Sequence, residues 1–571
     1  MKSKLLLRSL KKCYYSSPLL FIINSILIIV LGTSSAANVY VLQNLINTIQ
    51  TVKALTNEVY SSMFLFLVVN FIFIVLGQAQ SYVNQLLILK FEYFLDLEFI
   101  TKCGDLELND FEKEDTYNLV NTAQNLGQSN LINVYDHFTK LMISIISIIS
   151  IISIILLYNN YYWVIILIIQ VISFMVHRKL GKYSYTIEKN NTLVMRKVEY
   201  IKYLLTNNIA IKEIISFNYF NNLKERFKKK RIEMLNNTKK LTLTYILVDG
   251  VLFILELLVK ATLISYYIII SLKESGLIGN IMGYIYSIET IQSNFMSVFN
   301  SLSQIYKDMI YVEDYFSFIG LKTENIDGVE TIKGSIKKIN IQNLNFSYGD
   351  KKTIRNLNLS IDSPKLIVLV GENGSGKSTL IKLIAGLYSF YEGSIYINGI
   401  DLKDINKKSY KDHISVVFQD FNKYELSLRD NITISNQKQY LNDDLIFNIL
   451  DKIRLKSKVL EYEDGLNSQM GKWFGGEELS KGQWQRIALA RVLISDADVI
   501  LLDEPNSALD PIMEKHFMKL VSRELKDKIV VLATHKIDNL LEYDPYFVFL
   551  KNGEIYRQGT IDVVGDLLTI Y

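Results

Sequence analysis

Cysteine and proline are scarce in this sequence, with two cysteines, Cys13 and Cys103, and five prolines in 571 residues. Two cysteines so far apart have neither metal-binding spacing nor the density of a disulfide scaffold. Five prolines exclude a proline-rich linker protein. The five histidines form no HxxxH or comparable ligand pair, so no histidine metal centre is legible. Neither sign of charge is in excess. Against 62 lysines and arginines stand 58 aspartates and glutamates, leaving +4, which gives no bulk attraction for nucleic acid and excludes it as an expected partner. Charged residues make up only 21% and hydrophobic ones 49%. The mean hydropathy of +0.18 is high for a soluble enzyme and low for a chain wholly inside a membrane. The length allows two to four domains at about 150 residues each. A chain with one apolar and one soluble part follows, each large enough for its own core.

Long apolar runs are confined to the first half. Six candidate spans stand out: Leu19–Val39, Met63–Tyr82, Leu141–Tyr158, Tyr161–Val176, Tyr245–Ile270 and Leu277–Phe299. Most approach the ~20 residues needed to cross about 30 Å of hydrocarbon. The fourth is short, but Asn159-Asn160 before it makes a tight polar turn and so a helical hairpin. The N-terminal Lys2, Lys4 and Arg8 are compatible with a secretory signal. The first run is too long for one, however, and lacks a small-residue cleavage site, so a retained helix is expected.

Basic residues fall on alternate loops. They crowd the N-terminus and the segment with Lys224, Arg226 and Lys228-Lys229-Lys230-Arg231, while the loops after spans one, three and five are short and carry no positive excess. This places both termini in the cytoplasm of a multi-pass plasma-membrane protein surrounded by lipid. The segments after spans two and four are too long for turns and keep helical apolar spacing, as at Leu86, Leu87, Leu89 and Phe91. Membrane helices that continue into the cytoplasm, joined by short crossing elements at Asp105–Glu112 and Ile211–Ile215, are expected. No internal repeat is apparent.

Across Phe316–Asn325 the character of the chain changes. From Lys333 short β-branched runs such as Leu366–Val370, Val499–Leu502 and Ile529–Leu532 alternate with helical segments, the pattern of a largely parallel sheet wrapped by helices. The expected organisation is a six-helix membrane domain with cytoplasmic extensions over 1–320, a linker over 321–332 and an α/β P-loop ATPase domain over 333–571.

Gly371-Glu372-Asn373-Gly374-Ser375-Gly376-Lys377-Ser378-Thr379 follows an apolar strand and precedes a helical pattern, so GxxxxGK[ST] stands in its strand–loop–helix context. Glycines let backbone N–H groups turn onto phosphates, and the helix N-terminus adds its positive end. Lys377 is placed to reach the β and γ phosphates of ATP, and the Ser378 hydroxyl to meet Mg2+. A second apolar strand ends in Leu502-Asp503-Glu504. Asp503 suits the other magnesium contact, and Glu504, at a carboxyl strand end, suits a group that orients or deprotonates water.

Leu479-Ser480-Lys481-Gly482-Gln483 lies shortly before that strand. Together these motifs resemble the nucleotide-binding domain of ATP-binding-cassette (ABC) proteins, and the resemblance extends over essentially the whole chain. It implies a half-size exporter of the type I architecture, with two chains and two ATP sites at a dimer interface. In that family the signature LSGGQ closes over ATP held by the opposite subunit. Ser480, Gly482 and Gln483 match it, while Lys481 replaces a glycine. By the same resemblance Tyr348 stacks on adenine, Gln419 contacts magnesium and relays motion, Asp510 in Ser507-Ala508-Leu509-Asp510 lies on the interface loop, and His535 holds the γ-phosphate. With Glu504 and His535 both present, ATP hydrolysis is implied.

Phe418-Gln419-Asp420-Phe421, Leu428-Arg429-Asp430-Asn431-Ile432 and Gly471–Gln485 resemble lantibiotic and related peptide exporters that lack a peptidase domain. Peptide cargo and a homodimer are the expectation. A heterodimer with another half-transporter, a multidrug or lipid exporter, and an ATP-controlled sensor that moves nothing are the other readings. In the membrane part, Asp249, Glu256 and Lys260 share about one helical face, and Glu289, Gln292 and Asn294 lie with Tyr284 and Tyr286 in the sixth span. Intramembrane charge is costly and marks a candidate cargo surface. The plainer expectation is that Glu256 and Lys260, four residues apart, pair with each other.

Overall fold

A computed structural model describes residues 2–52, 55–156, 163–273, 277–321, 328–362, 364–505, 509–535 and 537–563. These fall into two compact units. One comprises Met1–Gly104 with Glu114–Leu321, the other Asp105–Lys113 with Lys322–Tyr571. The short segment Asp105–Lys113, which by sequence belongs with the membrane part, thus packs with the soluble part.

The described elements of the first unit are helical: α1 (Lys2–Ser16), α2 (Pro18–Gly32), α3 (Ser34–Val52), α4 (Asn57–Gly104), then, beyond α5 (Leu108–Glu112) of the second unit, α6 (Glu114–Thr122), α7 (Gln128–Leu156), α8 (Trp163–Thr206), α9 (Ala210–Ser216), α10 (Phe220–Lys273) and α11 (Ile278–Ile319). At 1.5 Å per residue, α4 and α10 are each roughly 70–80 Å long, more than twice the hydrocarbon thickness. Their apolar parts cover only a portion of that length. Lys90, Glu92, Asp96 and Glu98 punctuate the second half of α4, as expected of helices that leave the membrane. Among the described residues, Pro18–Val52, Asn57–Gly104, Glu114–Leu156 and Phe220–Ile269 are long and apolar enough to cross a bilayer. The other two expected stretches fall in α8 and α11, apart from residues 161 and 162, which lie outside the described residues, as does the Asn159-Asn160 turn.

Lipid cannot drive apolar helices together, so close packing and hydrogen bonds must. Both are present. In α7 a serine recurs every third residue. Ser144 donates to Ser297 (2.8 Å), Ser147 to Ser35 (2.9 Å) and Ser150 to the Gly32 carbonyl (3.2 Å), tying α7 to α11, α3 and α2. Sequence reading found no repeat here; this triplet of Ile-Ile-Ser is one, too short to define a fold. Gly32 lies against Ile146, where a Cβ would collide. Asn24, fully buried, donates to Tyr135 (2.7 Å) and Asn84 (3.1 Å) and accepts from Gln80 (3.1 Å). Tyr284, Ile288 and Ile291 of α11 pack with Ile151, Ile155 and Leu263.

The second unit has two sheets. The strands are β1 (Lys338–Tyr348), β2 (Lys351–Asp362), β3 (Lys365–Val370), β4 (Glu392–Ile397), β5 (Ile400–Asp401), β6 (Ile414–Val417), β7 (Val499–Asp503), β8 (Ile529–Ala533), β9 (Tyr546–Lys551) and β10 (Glu554–Gly559). One sheet is ordered β2-β1-β4-β5, the other β10-β9-β3-β8-β7-β6. Strands β3, β6, β7, β8 and β9 of the larger sheet run parallel, and β10 is antiparallel to β9. Both of its faces are covered. Val368, Ile500, Leu502, Val530 and Leu532 feed one core, and Ile367, Leu369, Val499, Leu501 and Val531 the other. That is why these strands read as unbroken apolar runs rather than alternating ones.

The helices of this unit are α5, α12 (Lys377–Ile384), α13 (Lys407–Lys411), α14 (Leu428–Thr433), α15 (Asp443–Lys452), α16 (Lys456–Leu460), α17 (Lys481–Leu493) and α18 (Pro511–Glu524). Arg491, near the end of α17, fastens the segment that follows β6. Its guanidinium donates to the carbonyls of Asn431 (2.8 Å) and Asn422 (3.1 Å) and to Asn431 Oδ1 (3.0 Å). Burial holds its pKa below the ordinary arginine value. Replacing it by methionine leaves these acceptors unmet, at a cost of about 2 kcal/mol. Thermal unfolding of the purified Arg491→Met chain is therefore expected to shift its ATPase-domain transition down by roughly 4–8 °C, and an unchanged transition would remove this role.

Candidate functional site

Parallel register brings the site together. β8 lies between β3 and β7, with Leu369 and Asp503 both opposite Ala533. The carboxyl ends of three strands are therefore level, the place where open α/β sheets bind ligands. From β3 the chain turns through Gly371–Gly376 into α12. Gly376 has φ 106°, and its α-carbon faces Ile354 and Thr353 of β2 so closely that a Cβ would strike the Ile354 side chain. Only glycine combines that backbone with that approach. Gly374, at φ 82°, is exposed, as is Asn373.

Lys377 is buried and donates to the carbonyls of Gly371 (2.6 Å) and Glu372 (3.0 Å), which holds its ammonium across the mouth of the loop. Burial lowers its pKa, and the Glu504 and Asp503 carboxylates oppose that shift. Ser378 Oγ donates to Asp503 Oδ1 at 3.1 Å. Asp503 is itself buried, which raises its carboxyl pKa against the lowering effect of Ser378. Ser375 Oγ and Thr379 are buried too, and the Ser375 hydroxyl has no hydrogen-bond partner. A buried, unmatched hydroxyl in a glycine-rich turn at the start of a helix suits an anionic oxygen.

β6 runs parallel to β7 with Val417 opposite Leu502. Two residues further along each chain, Gln419 and Glu504 meet, and Gln419 Nε2 donates to Glu504 Oε2 at 2.7 Å. Glu504 has a left-handed backbone, φ 45°, pinned by its N–H to the Ala533 carbonyl (2.9 Å). Such a conformation is uncommon for glutamate and marks a constrained position. Its other oxygen, Oε1, lies 2.8 Å from His535 Nε2. Lys377, Ser378, Gln419, Asp503, Glu504 and His535, from four strand ends, thus converge.

The remaining sequence candidates are not part of that convergence. Ser480 and Gln483 close a capping box at the start of α17: Gln483 N–H donates to Ser480 Oγ (3.2 Å) and Ser480 N–H to Gln483 Oε1 (2.8 Å), which also accepts from Lys458 (3.2 Å). Gly482 follows in the first turn and Lys481 points to solvent. Asp510 caps α18 by accepting from Met513 N–H at 2.9 Å, while Ser507 and Ala508 lie outside the described residues.

Tyr348, at the end of β1, meets a neighbour that the sequence did not single out. Its ring stands edge-on to Tyr388 at 5.8 Å. The Tyr388 hydroxyl donates to Glu112 Oε1 at 2.9 Å and lies 3.3 Å from the Tyr348 hydroxyl. Burial and the Glu112 contact both raise the Tyr388 pKa, burial more. Glu107 of the same segment binds Lys407 (2.5 Å) and accepts from Ser389 (2.7 Å). The aromatic cluster Tyr388-Ser389-Phe390-Tyr391 was the available signal, but its partners lie some 280 positions earlier in the chain. Tyr388→Phe keeps the ring and removes the hydroxyl. Amide exchange over 105–113 is expected to quicken by about 5–10-fold, the worth of one hydrogen bond. Lys377→Ala is expected to weaken ATP binding by roughly 10–100-fold in a nucleotide titration, and undiminished affinity would contradict the placement of its ammonium.

The ABC transporter family profile matches residues 354–507. The subtilin transport ATP-binding protein SpaT of Bacillus subtilis is 30% identical over 536 residues, 93% of this chain and 87% of SpaT. The nisin transport ATP-binding protein NisT of Lactococcus lactis subsp. lactis is 30% identical over 502 residues, 86% of this chain and 82% of NisT. Relatives named for multidrug transport and lipid A-core flipping align over only 42% and 46% of the chain. A solved bacterial Atm1-family ABC exporter superimposes with a TM-score of 0.80 over 96% of both chains at 16% identity, which shows a common fold. Membrane helices and a P-loop ATPase domain on one polypeptide, related along nearly its whole length to transport ATPases, place this chain in the ABC transporter family as a half-size exporter that binds and hydrolyses ATP.

Proposed function

We propose that the chain forms a homodimer that exports a cationic, lantibiotic-like peptide from the cytoplasm across the plasma membrane by alternating access. The observation that carries the peptide reading is the extent of the relationship to SpaT and NisT. An alignment of 536 residues must include the membrane helices, where cargo passes. The multidrug and lipid A-core relatives named above match less than half of the chain. In this reading six spans cross the membrane, α8 and α11 supplying the fourth and sixth, and both termini are cytoplasmic.

ATP sits with its phosphates in the loop Gly371–Thr379 and its adenine on Tyr348. Lys377 binds the β and γ phosphates. Ser378, Gln419 and Asp503 would hold Mg2+. Their donors are a hydroxyl, an amide carbonyl and a desolvated carboxylate, all hard oxygens, and among the described residues no three-residue His, Cys, Asp or Glu cluster competes. That fits an ion that takes few protein ligands and the rest from phosphate and water. Bound there, the ion would offset triphosphate charge. Glu504 orients the attacking water and takes its proton, His535 holds the γ-phosphate, and Gln419 reports on the site to the membrane helices. Ser480, Gly482 and Gln483 approach the ATP of the opposite chain, so they need not join the strand-end cluster of their own. Asp510 lies at the same interface. ATP favours the closed pair of ATPase domains and so shifts the membrane helices outward; hydrolysis returns them.

Glu504→Gln keeps size and shape and removes the base, so hydrolysis should fall by about 10²–10⁴-fold with ATP binding retained. Normal turnover in this variant would overturn the assignment. With Glu504→Gln as the blank, ATPase activity of the chain in liposomes is expected to rise with cationic peptides and not with hydrophobic drugs. Stimulation by drugs or lipids alone would favour the multidrug or lipid reading. No activity above the blank would remove the homodimer.

A further inference from the structure

Glu256 does not pair with Lys260. The Lys260 ammonium reaches across to Glu289 of α11 at 2.5 Å, and Glu256 turns to three neutral donors. Its Oε1 accepts from Gln170 Nε2 (3.1 Å) and Ser173 Oγ (3.2 Å) of α8, and its Oε2 from Gln292 Nε2 of α11. The side chain is 8% exposed and that of Gln170 1%. Among the described residues no cation lies within 4.0 Å of the Glu256 carboxylate. A donor set of this kind, two amides and a hydroxyl, recognises the ionised form, yet a buried carboxylate without a counter-charge is expensive.

A second, independent feature sits beside it. The carbonyl oxygen of Gln170 is buried and accepts no hydrogen bond. Gln170 and Glu256 line one small cleft together with Val259, Lys260, Ile288 and Gln292, with about 10 Å³ of free space, room for one water-sized group. An anionic oxygen and an unmet neutral acceptor, side by side in a half-apolar cleft, are complementary to a small monocation that carries N–H donors on an alkyl stem. That space admits one ammonium nitrogen and leaves the stem outside it.

We propose that Glu256 and Gln170 form a primary-ammonium subsite between α8, α10 and α11, which takes a lysine side chain or an amino terminus of the cargo. The negative charge selects the cation, the Gln170 carbonyl selects an N–H over a methylated nitrogen, and the small space walled by Val259 and Ile288 excludes a bulkier head group. Glu289 keeps Lys260 from filling the subsite. That the ammonium belongs to a peptide rests on the export reading above; the subsite itself does not.

The test uses the full-length chain in lipid nanodiscs, with empty nanodiscs subtracted, and n-octylammonium, n-octyltrimethylammonium and n-octanol as probes. Octylammonium is expected to bind with Glu256→Gln weakening it by about tenfold or more and Gln170→Met by about 3–10-fold. Glu256→Asp, which keeps the charge, should remain within about threefold of the parent and covers the case in which the glutamine variant fails to fold. Octyltrimethylammonium should bind weakly and be indifferent to Gln170→Met. Equal binding of the two cations, or octylammonium affinity unaltered by Glu256→Gln, would overturn the subsite. A lysine peptide and its Nε-acetylated counterpart then separate the two levels. If octylammonium behaves as described and neither peptide stimulates ATPase activity, the subsite stands and peptide export falls. Stimulation by the acetylated peptide equal to the parent's would remove the ammonium from cargo recognition.

Discussion

Level alignment of parallel strands is the constraint on which the ATPase site depends. Leu369, Ala533 and Asp503 lie abreast in β3, β8 and β7, and Val417 lies opposite Leu502 in β6. Gln419, Glu504 and His535 follow their strands within two residues, and the glycine loop after β3 returns Lys377 to the same edge. The side-chain period is two, and a slip by one residue would turn Glu504 away from Gln419 and reverse both cores. The two apolar layers hold that register from either face. Positive φ at Glu504 is tolerated because its N–H is tied to β8.

In the membrane unit the constraint is different, because helices there gain nothing from leaving lipid for one another. Contact is bought with hydrogen bonds and small residues: Asn24 with Gln80, Asn84 and Tyr135, the serines of α7, and Gly32 against Ile146. Glu256 belongs to the same economy of polar groups but differs in charge. Its donors satisfy hydrogen bonding and leave the charge itself unanswered. The phosphate loop shares this trait, since desolvation depresses Lys377 and raises Asp503 beside an unmatched Ser375 hydroxyl. Both proposed sites are places where burial makes a charged ligand the natural complement.

The segment Asp105–Lys113 shows how far local reasoning extends. Its helical character and its position after a long apolar helix are visible in the chain. That Glu107 meets Lys407 and Ser389, and Glu112 meets Tyr388, is not, because nothing in a carboxylate's neighbours specifies a partner hundreds of residues away. The domain boundary at 320 likewise reads a continuous change in composition, whereas compactness returns nine residues from the first part to the second.

What the sequence determined by itself is therefore whatever short-range chemistry encodes. A glycine-rich turn between strand and helix, an acidic pair at the end of an apolar strand, and apolar runs of membrane length all carry their physics within about twenty residues. Tertiary structure decided the pairings. Lys260 faces both Glu256 and Glu289 at reachable spacing, and only the packing of α10 on α11 selects Glu289. Tyr348 carries no local sign of Tyr388, which the fold sets edge-on beside it. Side-chain partners at long separation are set by which faces pack and in which register, a collective outcome of the burial of two cores that no local pattern contains.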